Sequence, residues 1–198
     1  MPTHALAKGA NVRVAEIFGD PAPQLDIRIS ATPGESLRAV DASVLVLGSG
    51  GNVQSADDLV FYNQPNALDG AVRLVGDDGT GDNEDGSDDL GGRLQIDVAR
   101  LPDPIDRLIV AASADSESGE DFGLVKSLEM TVSLGSGESD ESAYLRSELD
   151  GFTDERALIV AELYRHESGW KFRAVGQGYA GGLAALVTDF GVEVDDPG

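Results

Sequence analysis

The sequence predicts a mainly β fold, an antiparallel β-sandwich with a short C-terminal helix. Apolar or alternating runs recur, roughly ten of them, with turn chemistry about every 8–12 residues, which is the rhythm of a sandwich. Only one stretch, close to the end, carries a helical apolar face. The chain has 198 residues and is 41% hydrophobic, enough for a single core, so residues 1–198 are read as one domain.

The elements follow in order. Val12–Ile17 (VRVAEI) alternates and reads as a strand, as does Leu25–Ile29 (LDIRI), with Leu25, Ile27 and Ile29 on one face and Asp26 and Arg28 on the other. Ala31–Ser36 (ATPGES) reads as a turn. Ser43–Leu47 (SVLVL) is a continuous apolar run, predicted to be a central strand, and GSGGN closes it. Leu59–Tyr62 (LVFY) is a short strand. Asp69-Gly70 is a hairpin dipeptide leading into AVRLV at Ala71–Val75. Arg93–Val98 alternates again. Leu101–Asp106 has two prolines and is excluded from a strand interior.

Arg107–Ala112 (RLIVAA) reads as a buried strand, and Leu128–Leu134 and Ala143–Leu149 as further strands. Ala157–Tyr164 pairs with Trp170–Val175 across the HESG turn. Leu183, Leu186, Val187 and Phe190 fall at i, i+3, i+4 and i+7 and predict the helix, with Gly191 as its stop.

Between Val75 and Arg93 lies GDDGTGDNEDGSDDL, residues 76–90. It holds seven carboxylates (Asp77, Asp78, Asp82, Glu84, Asp85, Asp88, Asp89) and no Lys or Arg. Two like charges at about 4 Å repel by ~1 kcal/mol even in bulk water. Solvent, protonation or a hard cation must relieve that. Calcium, which takes roughly six to eight oxygen ligands in flexible geometry, is the best-matched cation, and the stretch is predicted to be a divalent-metal loop at one end of the sandwich, flanked by Arg73 and Arg93. It is not an EF-hand: counted from Asp78, the position that requires Gly is Asn83. The alternative is a solvated acidic loop in an acidic structural or assembly module.

Charge bounds the partners. The chain carries 36 acids and 14 bases, a net −22. Such a field disfavours nucleic acid and bare anionic lipid. There is no Cys, so disulfides and thiolate metal sites are excluded, which fits a reducing cytoplasm. MPTHALAKGANVRV lacks the apolar core of about 7–15 residues found in secretory leaders. No run approaches the ~18 apolar residues of a membrane span. A cytoplasmic location is expected.

Other motifs point to packing. Gly176, Gly178 and Gly181 spell G-x-G-x-x-G, but too little chain follows for a dinucleotide-binding half, and tight packing accounts for the glycines. His4 and His166 have no nucleophile in a recognisable motif beside them, and no G-x-S-x-G elbow occurs, so no catalytic residues are assigned and no enzyme is predicted. Trp170 and Phe172 share one strand face, with Lys171 and Arg173 on the other. This reads as a core face with a solvated reverse side, against the reading as a basic contact stripe.

VDASVLVL (Val40–Leu47), DDLVFYNQP (Asp57–Pro65), GDDGTG (Gly76–Gly81), DGSDD (Asp85–Asp89) and ELYRHESGWKFRAVGQGYAGGL (Glu162–Leu183) resemble, in the right order, the TerD family of bacterial tellurite-resistance and general stress proteins. The resemblance implies a calcium-binding β-sandwich, a cytoplasmic location and a role in stress or toxic-oxyanion resistance. It carries Asp41 over from the second acid of D-L-D-A-S, the first being replaced by Ala39. It carries over Asp58 before the F-V-F-Y-N-like strand and Asn63 at its end. In the loop Asp77 matches the first acid, Asp78 stands where Asn is usual, and Asp85-Gly86 match the later D-G. One inserted residue shifts the D-D step onto Asp88 and Asp89, and leaves Glu84 facing solvent. With Asp82, these are the expected calcium ligands, gathered at one end of the sandwich. The implied role is that of a non-enzymatic sensor or scaffold, with calcium as cofactor. Its implied partners are other stress-complex proteins or an anionic membrane surface reached through calcium.

Overall fold

Alternation along the chain becomes inside and outside in space, and the two apolar faces so produced close on each other. The structure is a computed structural model that describes residues 3–20, 24–33, 39–75, 90–114, 119–135 and 144–194. Its strands are β1 (His4–Ala5), β2 (Asn11–Arg13), β3 (Gln24–Pro33), β4 (Val40–Gly48), β5 (Leu59–Val60), β6 (Asn66–Ala67), β7 (Val72–Leu74), β8 (Leu90–Asp97), β9 (Ile105–Ala114), β10 (Val125–Leu134), β11 (Leu145–Leu149), β12 (Ala157–His166) and β13 (Gly169–Tyr179), with helices α1 (Val14–Phe18) and α2 (Gly182–Asp189). One sheet runs β1-β11-β10-β3-β8-β7-β6 and the other β2-β13-β12-β9-β4-β5. Every pairing is antiparallel except that of β1 with β11. The predicted sandwich with a short C-terminal helix is what forms.

Leu25, Ile27 and Ile29 of β3 and Leu94 and Ile96 of β8 meet Val44 and Val46 of β4 and Leu108 and Val110 of β9 between the sheets. Each such side chain contributes about 1.5–3 kcal/mol on full burial. A second apolar layer lies on the outer side of the β4–β9–β12 region. There Leu45, Leu47, Ile109, Ala111, Ala157 and Ile159 are covered by Leu186 and Val187 of α2. That cover explains why β4 reads SVLVL without alternation: both of its faces are buried. The helix stops as expected. Gly191 adopts φ 85°, and the Val192 N–H bonds back to the Val187 carbonyl at 3.1 Å.

The structure departs from the sequence reading in four places. Val12–Ile17 is not one strand, because the chain turns helical at Val14. Val14 and Phe18, one helical turn apart, are buried there, and Arg13 pairs with Glu16. Ala31 and Thr32 belong to β3 rather than to a turn, because they pair with Leu128 and Ser127 of β10. The strand at Leu59 ends at Val60, because Phe61 and Gln64 exchange backbone bonds of 3.0 and 2.9 Å and turn the chain at Tyr62-Asn63. Finally, β4 is interior but next to last in its sheet, with only the two-residue β5 beyond it. The Asp69-Gly70 turn does join β6 to β7, and reaches left-handed angles at Leu68 (φ 51°), Asp69 (φ 52°) and Gly70 (φ 80°). Among the described residues no helix is long and apolar enough to cross a membrane.

Candidate metal centre

One end of the sandwich holds Asp41 and both attachment points of the acidic stretch. Strands β7 and β8 are antiparallel neighbours (Leu74 opposite Leu94), and the Val75 N–H bonds to the Arg93 carbonyl at 2.8 Å. Both attachment points of the acidic stretch therefore lie at a single end of the sheet. Leu90 pairs with Ala31 of β3, and β4 begins a short connection after β3 ends. Gly92 faces Ala42 across the sandwich. The first residues of β4 thus lie at the end where the acidic stretch departs.

Asp41 is half-buried there, opposite Ser113 of β9. By the two-residue period of a strand it shares its face with Ser43, Leu45 and Leu47. Ser43 is 1% exposed, and its hydroxyl oxygen has no hydrogen-bond partner among the described residues. A buried hydroxyl in that state leaves a lone pair for a ligand that prefers oxygen. Nothing in the sequence singled out Ser43; its lack of a partner is a property of the packed fold.

Asn63 lies on the exposed tip beyond β5, and the pairing of β5 with β4 (Leu59 with Leu45, Val60 with Val44) carries that tip toward the Asp41 end. The Gln64 side chain fixes the tip by donating to the Ala56 and Leu59 carbonyls at 2.8 and 2.7 Å. Beside Asn63, Tyr62 is 67% exposed and sets its ring edge-on to Phe61, with centroids 5.5 Å apart.

Asp58 is not brought into this group. It precedes Leu59, which pairs with Leu45, and so lies on the side of β5 away from Asp41. Its carboxylate is also engaged locally. Asp58 Oδ2 accepts the Ser55 N–H at 3.0 Å while Ser55 Oγ accepts the Asp57 N–H at 3.1 Å, a reciprocal capping box.

Asp77, Asp78, Asp82, Asp85, Asp88 and Asp89 lie outside the described residues, as does Glu84. Among the described residues no three His, Cys, Asp or Glu side chains stand together as a metal-holding group. The two flanking arginines join a network on the outer face of the larger sheet. Arg93 forks onto Asp26, which is 3% exposed, with Nε–Oδ1 and Nη2–Oδ2 distances of 2.9 Å. Gln95 donates to Asp26 at 3.0 Å and accepts from Arg73 at 2.6 Å.

The remaining sequence motifs are structural. Gly176 and Gly178 sit inside β13 rather than in a phosphate loop; a Cβ on Gly178 would lie 2.2 Å from Glu155 Cγ. His166 Nδ1 meets Ser168 Oγ at 3.1 Å within its own hairpin, and His4 pairs with Leu145 at a sheet edge. Phe172 is fully buried and Trp170 packs beside it, confirming the core face of β13.

Comparison with known proteins identifies relatives of the chain. The TerD domain family profile matches residues 2–190. The chain is 35% identical over 193 residues to the tellurium resistance protein TerD of Serratia marcescens, covering 95% of this chain and 97% of that protein. It is 36% identical over 157 residues to general stress protein 16U of Bacillus subtilis (strain 168), covering 78% of each. In fold it is similar to a crystal structure described as a homologue of telluride resistance protein (TerD) from Streptomyces coelicolor A3(2). That likeness has a TM-score of 0.64 at 20% identity and covers 87% of this chain and 99% of that one.

Proposed function

The chain belongs to the TerD domain family, and on that premise we propose that it is a non-enzymatic, calcium-binding stress-response protein of the cytoplasm, acting as a sensor or scaffold. The observation that carries this reading is the convergence at one end of the sandwich. Asp41, the Ser43 hydroxyl, which has no partner among the described residues, the Asn63 tip and both attachment points of a stretch with seven carboxylates all belong to that end. The donors are all oxygens, which fits calcium rather than a soft metal. The tellurium resistance and general stress roles named for the relatives support the stress assignment.

In this reading Asp41, Asn63, Asp77, Asp78, Asp82, Asp85, Asp88 and Asp89 supply the ligands, and Asp58 serves the fold as a cap. Bound calcium offsets the mutual repulsion of the carboxylates. The ordered end then offers a surface to another protein of the stress response or, through bridging calcium, to an anionic membrane face. The test is thermal unfolding of chelator-treated protein with calcium, with magnesium, or with sodium chloride at matched ionic strength. A ligand bound only by the folded state adds RT ln(1 + [L]/Kd), ~2.7 kcal/mol at a hundredfold excess over Kd. A large shift with calcium alone is the expected result. Equal shifts with all three salts mean diffuse screening of a −22 chain and replace this reading with that of an acidic assembly module.

A further inference from the structure

The acidic end has an opposite pole. Register across the smaller sheet places Arg13 of β2 beside Lys171 of β13, Lys171 beside Tyr164 of β12, and Tyr164 beside Arg107 of β9, in a single row. The next row holds Arg173 opposite Glu162. Glu162 is 3% exposed and is clamped by both arginines. Arg107 Nη1 lies 3.0 Å from one carboxylate oxygen, and Arg173 bonds the other. The Arg173 guanidinium also lies over the Tyr164 ring, 5.6 Å from its centroid. Outside these pairs Arg13 bonds Glu16 of α1, which also feels Lys171. Among the described residues four cations therefore face two carboxylates, a local excess of positive charge on a chain of net −22. The solvated side of β13 is thus one part of a cationic strip that crosses four strands.

Where the strip lies decides what it meets. Arg107 pairs with Leu47 at the far end of β4, whereas Asp41 pairs with Ser113 at the near end. At about 3.3 Å per residue, the two are roughly 20 Å apart along the strand. The 76–89 stretch, tethered at Val75 and Leu90, reaches at most about 26 Å when fully stretched out and back. Passing round a sandwich ~10 Å thick and then ~20 Å down its outer face exceeds that reach. The strip of one molecule lies beyond the reach of its own 76–89 carboxylates, but those of another molecule fit it in charge and in length. The row spans three strand spacings of ~4.8 Å, the length of about four extended residues.

We propose that the Arg13–Lys171–Arg107–Arg173 strip docks the carboxylate-rich 76–89 stretch of a second copy of this chain. Head meets tail, so the contact is heterologous and continues into open chains rather than closing as a two-fold dimer. The −22 charge on each copy opposes approach at long range, but at about 0.15 M salt that repulsion is screened beyond ~8 Å while the close contact is not. Association therefore peaks at intermediate ionic strength. It falls in very low salt, where whole chains repel, and in high salt, where the contact itself is screened.

The test is sedimentation velocity of the full chain, with chelator present throughout so that no metal is involved. The wild type should show an average sedimentation coefficient that rises with concentration. Lys171→Glu should remain monomeric at all concentrations, and so should a variant with Asp77, Asp78, Asp82 and Asp85 changed to Asn. Mixed one to one, these two variants should form a dimer and nothing larger, since each retains the half that the other lacks. Circular dichroism checks each fold, and Lys171→Gln replaces Lys171→Glu if the reversal disturbs the sheet. A monomeric wild type, a mixture that stays monomeric, or an associating Lys171→Glu overturns the proposal. So does a wild type that stays monomeric but binds anionic phosphatidylserine vesicles through the strip. Because calcium is absent, these outcomes are independent of the metal reading.

Discussion

Gly92 faces Ala42 so closely across the sandwich that a Cβ on residue 92 would lie 2.5 Å from the Ala42 Cβ. Ala42 follows Asp41 in β4, so this contact sets how near the acidic end of one sheet comes to the other. Gly92→Ala is expected to push β4 and β8 apart and to cost about 1–3 kcal/mol, the range for overpacked sites. Urea unfolding measures it. An unchanged midpoint would show that the sheets accommodate a methyl there without strain.

The proposed calcium site makes Asp41 a ligand and Asp58 a cap, and two variants distinguish these roles. Asp41→Asn is expected to remove most of the calcium-induced rise in Tm. Asp58→Ala is expected to retain that rise while losing at most about 1 kcal/mol of metal-free stability, since its carboxylate accepts only the exposed Ser55 N–H of the capping box. Thermal unfolding of both variants with and without calcium decides the matter. Loss of the calcium response in the Asp58 variant would bring Asp58 back into the ligand set.

Much of the architecture was legible because strand alternation and turn chemistry are local signals. The pairings Ala157–His166 with Gly169–Tyr179, the Asp69-Gly70 turn and the helix ending at Gly191 all follow from short-range rules. Val12–Ile17 misled because Val14 and Phe18, four residues apart, share one face of a strand as well as one face of a helix. Asp58 was placed with the ligands by motif order, which carries no sign of the bond its carboxylate makes to the Ser55 N–H. The buried hydroxyl of Ser43 and the row of Arg13, Lys171, Tyr164 and Arg107 were invisible for another reason. Both depend on register between strands far apart in the chain, and one residue of slip would reverse every face.

Arg165 ties the β9 entry to the β12–β13 hairpin. Its guanidinium lies 4.6 Å from the centroid of Trp170 and donates to the carbonyls of Ile105 (2.7 Å), Pro102 (3.1 Å) and Leu101 (3.3 Å). Hydrogen bonds from a charged group are worth about 1.5–3 kcal/mol, and the stack adds ~0.5–1 kcal/mol. Arg165→Ala is expected to lose about 2–3 kcal/mol on that basis. Arg165→Lys should recover little, because an ammonium cannot reproduce the planar fork. Denaturant unfolding of the pair tests this, and full recovery by Lys would show that charge alone holds the loop.

Glu155 makes acid stability sensitive to one turn. Its carboxylate accepts the Thr153 N–H at 2.6 Å. Backbone N–H bonds, that of Thr153 first, hold its pKa below the ordinary glutamate value. The sign follows from linkage: a depressed pKa in the folded state means that the unfolded chain binds the proton more readily. The contribution is therefore complete above the unfolded value of about 4.3, and is lost as pH falls through the lower folded value. Glu155→Gln keeps the shape against Gly178 but removes the titration. The variant is expected to lose a small, surface-screened increment near neutral pH and to converge with the wild type in acid. Urea unfolding of both proteins from neutral pH downward measures the difference. A gap that stays constant with pH would show that the side chain acts by packing against Gly178 rather than by its charge.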